Sequence, residues 1–176
     1  MADGLDLCFK YRLIFSMVFL PPEEYYKSLP RKRCGTGVIF LNSAGELLLL
    51  KPTYKPYWQL AGGVIDANEA PLACAIREIK EEIGLDSNNL KLLSVDYVSE
   101  HKPKSESFQF TFFGGTLTDE QISQIRLQAD EISEYKFMNV DEALKMIGGS
   151  FAARFSENEA SLKDGLIRYL EDGILK

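Results

Sequence analysis

The chain has 176 residues, enough for one domain with a single sizeable core. Its net charge of −6 argues against a DNA or RNA polymer as partner, because polymer binding rests on Lys and Arg neutralising phosphates. A small phosphorylated substrate stays open, since a divalent metal can supply the missing positive charge. Three widely spaced cysteines (Cys8, Cys34, Cys74) and a single histidine, His101, exclude a disulfide framework, a structural zinc site and the two-His helix of zinc proteases. A reducing cytoplasm is the expected compartment.

Residues 1–33 read as an N-terminal extension and residues 34–176 as the domain. Within the extension, residues 13–20 (LIFSMVFL) are apolar but too few to span a bilayer, which needs roughly 20. A signal peptide is not expected, because Asp3 and Asp6 precede the run and Pro21-Pro22 follows it without a small-residue cleavage pattern. The run reads as a strand or a docking segment that covers the core or a partner subunit, and it would suit a homodimer contact. The basic cluster Arg31, Lys32 and Arg33 reads as a solvated entry to the first strand rather than a phosphate-steering patch.

From Cys34 the pattern is that of strands. CGTGVIFLN is a buried run, NSAGE is a turn, and ELLLLK is the return strand of a hairpin. KPTYKP interrupts, and YWQL makes a short strand leading to Ala61, Gly62 and Gly63. A helix follows, with Pro71 in its first turn and Gly84 just past its end. LKLLSVDYVSE, SFQFTFFGGTL and EYKFMNV read as further strands, and residues 140–147 as a short helix. Residues 156–170 read as a helix capped by Ser156. Strands and helices that do not strictly alternate point to an α/β fold with a mixed sheet and helices on both faces.

In the helix beginning at Pro71, Leu72, Ile76, Ile79 and Ile83 repeat at helical spacing and are expected to face the core. Glu78, Glu81 and Glu82 lie away from that stripe at i, i+3, i+4, so all three share one face. They also sit near the C-terminal end, where the helix dipole disfavours negative charge. A bound cation would relieve both costs, and oxygen-only clusters suit Mg²⁺ or Mn²⁺. Taken alone, the same face is an ordinary solvated one, with Arg77 and Glu81 as an i, i+4 ion pair.

The full segment 63–85, GVIDANEAPLACAIREIKEEIGL, resembles the Nudix box. The matching positions are Gly63, Glu69, Arg77, Glu78, Ile79, Glu81, Glu82, Gly84 and Leu85. Seven fixed and two apolar positions coincide by chance on the order of once per 10⁹ starts. The WQLAGGV approach and the later FFGG and ADEISEYKF runs are similar to the wider family, and from about Leu29 onward the chain resembles bacterial Nudix proteins. It departs from the family in having Ala61 where Pro is common, Asn68 where Gly is common, and Ala70 where a Ser cap is common. The last omission is worth about 1 kcal/mol of helix stability.

The resemblance implies a Nudix-type α/β/α sandwich and a hydrolase acting on a nucleoside diphosphate linked to another group, such as a nucleoside triphosphate, ADP-ribose or a nucleotide sugar. It implies Glu78, Glu81 and Glu82 as metal ligands, joined by the Gly62 carbonyl, with Glu69 and Arg77 bracing the loop and orienting Glu78. A general base is needed: Glu78 stands first, Glu131 second, and Glu134 is a further candidate. Lys51, Lys55 and Arg77 are able to meet phosphates, and Trp58 to stack on a base or form a core wall. His101 is a further, weaker candidate for substrate contact. Two other uses of the same fold are a nucleotide-sensing module and an isopentenyl-diphosphate-isomerase-like enzyme, the latter needing a catalytic Cys and Glu outside the box.

Overall fold

The computed structural model describes residues 20–147 and 151–176. The chain divides into two compact units, Met1–Arg31 and Lys32–Lys176. The first contributes helix α1 (Pro22–Ser28), with Pro in its first turn, Glu23 and Glu24 at its start and Lys27 at its end. The apolar run 13–20 lies, apart from Leu20, outside the described residues. Among the described residues no helix is long and apolar enough to cross a membrane.

The second unit is a seven-stranded mixed sheet. In chain order its elements are β1 (Arg33–Leu41), β2 (Leu47–Pro52), α2 (Pro71–Ile83), β3 (Lys91–Val98), β4 (Ser107–Thr116), α3 (Asp119–Ser123), β5 (Ile132–Met138), α4 (Val140–Met146), α5 (Phe151–Asp164), β6 (Arg168–Glu171) and β7 (Ile174–Leu175). The strand order is β5-β2-β1-β4-β3-β6-β7. β1 runs parallel to β4 and β3 parallel to β6, while the other neighbours are antiparallel.

Strand alternation builds two cores. Val38, Phe40, Leu48 and Leu50 face one side, where they pack with Ala75, Ile79 and Ile83 of α2. Ile39, Leu47 and Leu49 face the other, where they pack with Ala143 of α4 and Phe151 and Phe155 of α5. The result is the expected α/β/α sandwich.

The β1–β2 hairpin turns on Asn42, whose side-chain oxygen accepts from the N–H groups of Ala44 and Glu46 at 3.0 and 2.9 Å. Beyond the pair Leu41↔Leu47 the two strands part, and residues 59–65 fill the space between them. Gln59 exchanges both backbone hydrogen bonds with Leu50 of β2, at 2.8 and 2.9 Å. Ala61 and Gly63 accept from Val38 and Thr36 of β1, both at 2.8 Å. YWQL is thus a set of isolated bridges rather than a strand of its own. This insertion is what carries Gly62 and Gly63 up to α2.

The C-terminal reading needs correction. Helix α5 runs through Ser156, which does not cap it, and stops at Asp164 because Gly165 turns to φ +76°. Residues 168–171 then leave the helix to pair with β3. Polar side chains on α5 seat it on the sheet: Ser94 donates to Asn158 at 2.6 Å, and Ser161 to the Leu93 carbonyl at 3.2 Å. Arg154 lies 3.2 Å from the fully buried Asp96.

Candidate active site on helix α2

Helix α2 begins at Pro71 and ends with Gly84 at φ +73°, whose N–H donates to the Lys80 carbonyl. Ala70 has the extended backbone of a cap but makes no side-chain capping bond. Asn68, in place of the usual glycine, takes φ +65°, a conformation that Asn tolerates better than most residues.

The buried face is rotated from the one expected. Cys74, Ala75, Ile79, Glu82 and Ile83 are buried, whereas Leu72 is 44% exposed and Ile76 only half-buried. The three glutamates therefore stand in three environments. Glu82 is 1% exposed, Glu78 is largely buried, and Glu81 is exposed. The inserted segment is the cause: the Gly62 N–H donates to Glu82 at 2.7 Å and the Gln59 amide at 3.3 Å, so Glu82 closes the gap between helix and sheet. Burial raises the Glu82 carboxyl to about 8, opposed by the Gly62 hydrogen bond and reinforced by the charges of Glu78 and Glu131. Burial also raises Glu78, against the pull of Arg77.

Arg77 gathers the remaining carboxylates. It meets Glu69 in a bidentate pair at 2.8 and 3.0 Å, and its third nitrogen meets both Glu78 and Glu81 at 2.8 Å. The hydrogen bond from Arg77 lowers Glu69 to about 2. With its fork committed to Glu69, Glu78 and Glu81, Arg77 braces the loop against the helix rather than reaching for substrate. Gly63 lies against this cluster, and a Cβ there would collide with the Glu78 carboxylate.

The donor set suits a hard divalent cation. All its groups are carboxylate or carbonyl oxygens, Glu82 is buried in a field of negative charge, and a guanidinium already sits where Glu78 and Glu81 converge. Their side chains turn toward Arg77 and Gly62 rather than toward a common point. Among the described residues no three His, Cys, Asp or Glu groups are gathered for ligation.

The other candidates divide. Glu131 sits in the loop tied to the end of β2, accepting from Tyr54 at 3.4 Å, and its charge is felt by both Glu78 and Glu82. Glu134 pairs with Lys136 at 3.0 Å on the edge strand β5. Lys51 donates to the Lys55 carbonyl at 3.1 Å and so holds the 52–56 loop. Of the two expectations for Trp58 the core wall matches its surroundings: it is 5% exposed, packed among Ile39, Leu49 and Phe151 because the inserted segment turns it to the α4–α5 side. Gln59 and Tyr54 were missed, since nothing in their spacing marks them. Gln59 holds Glu82 with its amide N–H and accepts from Lys55 at 3.0 Å.

Beside this site lies a cavity of about 430 Å³ that reaches Gly62 and Gln59. Lys55 and His101 line it, as does Arg33 of the basic cluster.

Comparison with known proteins agrees with this fold. The NUDIX domain matches residues 31–158. The chain belongs to the Nudix hydrolase family. An uncharacterized Nudix hydrolase of Pseudomonas aeruginosa is 35% identical over 117 residues, covering 63% of this chain and 65% of that one. The match thus spans a little under two thirds of that relative's length. The asymmetrical bis(5'-nucleosyl)-tetraphosphatase of Mus musculus is 28% identical over 130 residues, covering 70% of this chain and 80% of that protein. The crystal structure of a MutT protein from Methanosarcina mazei shares the fold, with a TM-score of 0.63 at 20% identity over 78% of this chain and all of that one.

Proposed function

We propose that the unit beginning at Lys32 hydrolyses a diphosphate bond in a nucleoside diphosphate linked to a second group, by attack of water on phosphorus. The observation that carries this reading is Glu82, a buried carboxyl held by Gly62 and Gln59 in a field made negative by Glu78 and Glu131. Such a group is costly to the fold unless a cation joins it. The relatives' names fit a phosphoanhydride substrate, since they include an RNA pyrophosphohydrolase of Hydrogenovibrio crunogenus and the tetraphosphatase above.

In this reading Glu78, Glu81, Glu82 and the Gly62 carbonyl hold Mg²⁺ or Mn²⁺. When bound, the metal would neutralise phosphate oxygens and lower the pKa of the attacking water. Glu78 accepts the water's proton, and Glu131 stands behind it as the second candidate, oriented by Tyr54. Arg77 and Glu69 keep Glu78 against Gly63. The extension 1–33, a homodimer contact through its apolar run and a cytoplasmic setting belong to the same proposal.

The test is release of phosphate or nucleotide from a panel of nucleoside diphosphate derivatives with Mg²⁺, beside Glu82→Gln. Turnover that depends on Glu82 supports the hydrolase. Equal activity in the variant, or no turnover of any compound, overturns it. Tight binding without turnover would instead favour a sensing module.

A further inference from the structure

The chain carries a net charge of −6, yet the cavity beside α2 is lined by Arg33, Lys55, Lys104 and Arg154, and by no Asp or Glu among the described residues. Arg154 is balanced by the buried Asp96 beneath it, at 3.2 Å. Arg33 and Lys55 are held differently. Arg33 donates to the hydroxyl and carbonyl of Ser105 at 3.1 and 2.6 Å, and Lys55 to the side-chain carbonyl of Gln59 at 3.0 Å. These contacts position the cations without cancelling their charge. Elsewhere in the chain surface cations pair with carboxylates, as Lys80 does with Asp86, Lys136 with Glu134 and Lys163 with Glu159.

The cavity and the acidic helix share a wall. Gln59 lines the cavity, receives Lys55 on its oxygen and donates to Glu82 with its nitrogen. Gly62 lines the cavity as well, and its N–H also meets Glu82. Arg33 and Lys104 stand at the β3–β4 loop, where a reverse pair between His101 and Lys104, at 3.0 and 2.8 Å, fixes the rim. A volume of about 430 Å³ accepts a nucleotide-sized group. A cleft lined by one sign of charge concentrates ions of the other sign.

We propose that this cavity binds a phosphate group that the substrate carries in addition to the diphosphate that is cleaved, with Arg33, Lys55 and Lys104 as its specificity residues. The proposal rests on the hydrolase reading for the location of the cleaved bond. The added phosphate has two sources, a ribose phosphate or a longer phosphate chain.

Calorimetry without divalent metal compares two matched pairs on the full chain: ADP-ribose with its 2′-phosphate derivative, and diadenosine diphosphate with diadenosine tetraphosphate. The field of a chain at −6 disfavours the more charged member of each pair. Tighter binding of that member by about tenfold or more, in either pair, supports the cavity, and the responding pair names the source. Arg33→Gln and Lys104→Gln should each draw that ratio toward one, whereas Lys163→Gln, remote on α5, should preserve it. Equal or weaker binding of the more phosphorylated member in both pairs overturns the proposal, as does a preference that survives both cavity variants. Turnover of these compounds and the wider panel with Mg²⁺ tests the hydrolase reading separately. Preference without turnover leaves the cavity standing and that reading fallen; turnover without preference does the reverse.

Discussion

The box helix and the cavity beside it carry opposite charge and meet at Gln59 and Gly62. On one side Glu78 and Glu81 meet Arg77 while Glu82 is held by Gly62 and Gln59; on the other Arg33 and Lys55 donate to neutral partners, and Lys104 lines the same cavity. The helix places its groups by spacing along one element. The cavity places its groups from β1, a loop after β2 and the β3–β4 loop. On the proposed reading the difference separates two tasks, breaking a bond and choosing whose bond to break, and it exposes each to a different substitution.

The largest effect should come from Glu82→Gln, which keeps the shape and removes the ionisable carboxyl. On the proposed reading Glu82 holds the metal, and its loss is expected to lower kcat by about 10³. The cavity's preference among matched compounds should persist, because Arg33 and Lys104 are untouched. A variant that lost the preference along with kcat would show that the two regions act as one. Gly63→Ala comes next. Its Cβ would collide with the Glu78 carboxylate, which Arg77 holds from the other side. Displacing Glu78 by even an ångström should cost about 10² in kcat. Steady-state assays with circular dichroism to verify folding check both, and a Gly63→Ala enzyme of full activity would mean Glu78 does not work from this position.

Trp58 tests the boundary from the other face. Packed at 5% exposure against Ile39 and Leu49, it should behave as core. Trp58→Phe is expected to cost about 1–3 kcal/mol of stability, a fall of several degrees in Tm, with KM within about twofold. A large rise in KM at unchanged Tm would restore the stacking role.

How much of this was legible follows from the same contrast. Helix α2 was readable because its signals are local: Pro71 at the start, Gly84 at the end, glutamates at fixed offsets. The mixed sheet was readable from apolar runs such as β1 and β2 and from strands and helices that do not strictly alternate along the chain. The burial of Glu82 was not, because its partners Gly62 and Gln59 lie more than a helix length upstream and meet it only after residues 59–65 enter between β1 and β2. That insertion also rotates the helix, so Leu72 faces out and Ala75 faces in. The cavity has no sequence period at all. The C-terminal misreading has a local cause: the polar run of α5 passes into Leu166, Ile167 and Leu170, an apolar continuation that looks helical until Gly165 is given its positive φ. The capping box of α3, where Thr118 and Gln121 bond reciprocally, was missed because five residues carry no periodicity.

The smallest effect separates helix stability from helix charge. Ala70 already has the extended backbone of an N-cap, at φ −79° and ψ 147°, is exposed, and lacks only an acceptor for the N–H groups of the first turn. Ala70→Ser supplies that acceptor without touching Glu78, Glu81 or Glu82, which sit two turns or more along the helix. A gain of about 0.5–1 kcal/mol is expected, seen as a Tm higher by about 1–4 °C in thermal melts. Neither kcat nor the cavity's preference should move, because a cap steadies the first turn while the carboxylates are fixed by Gly62, Gln59 and Arg77. A Tm that stays level or falls would mean the loop at Asn68 and Glu69 cannot accommodate the cap. A kcat that rose with Tm would mean fraying of α2, rather than the charge at its far end, sets the rate.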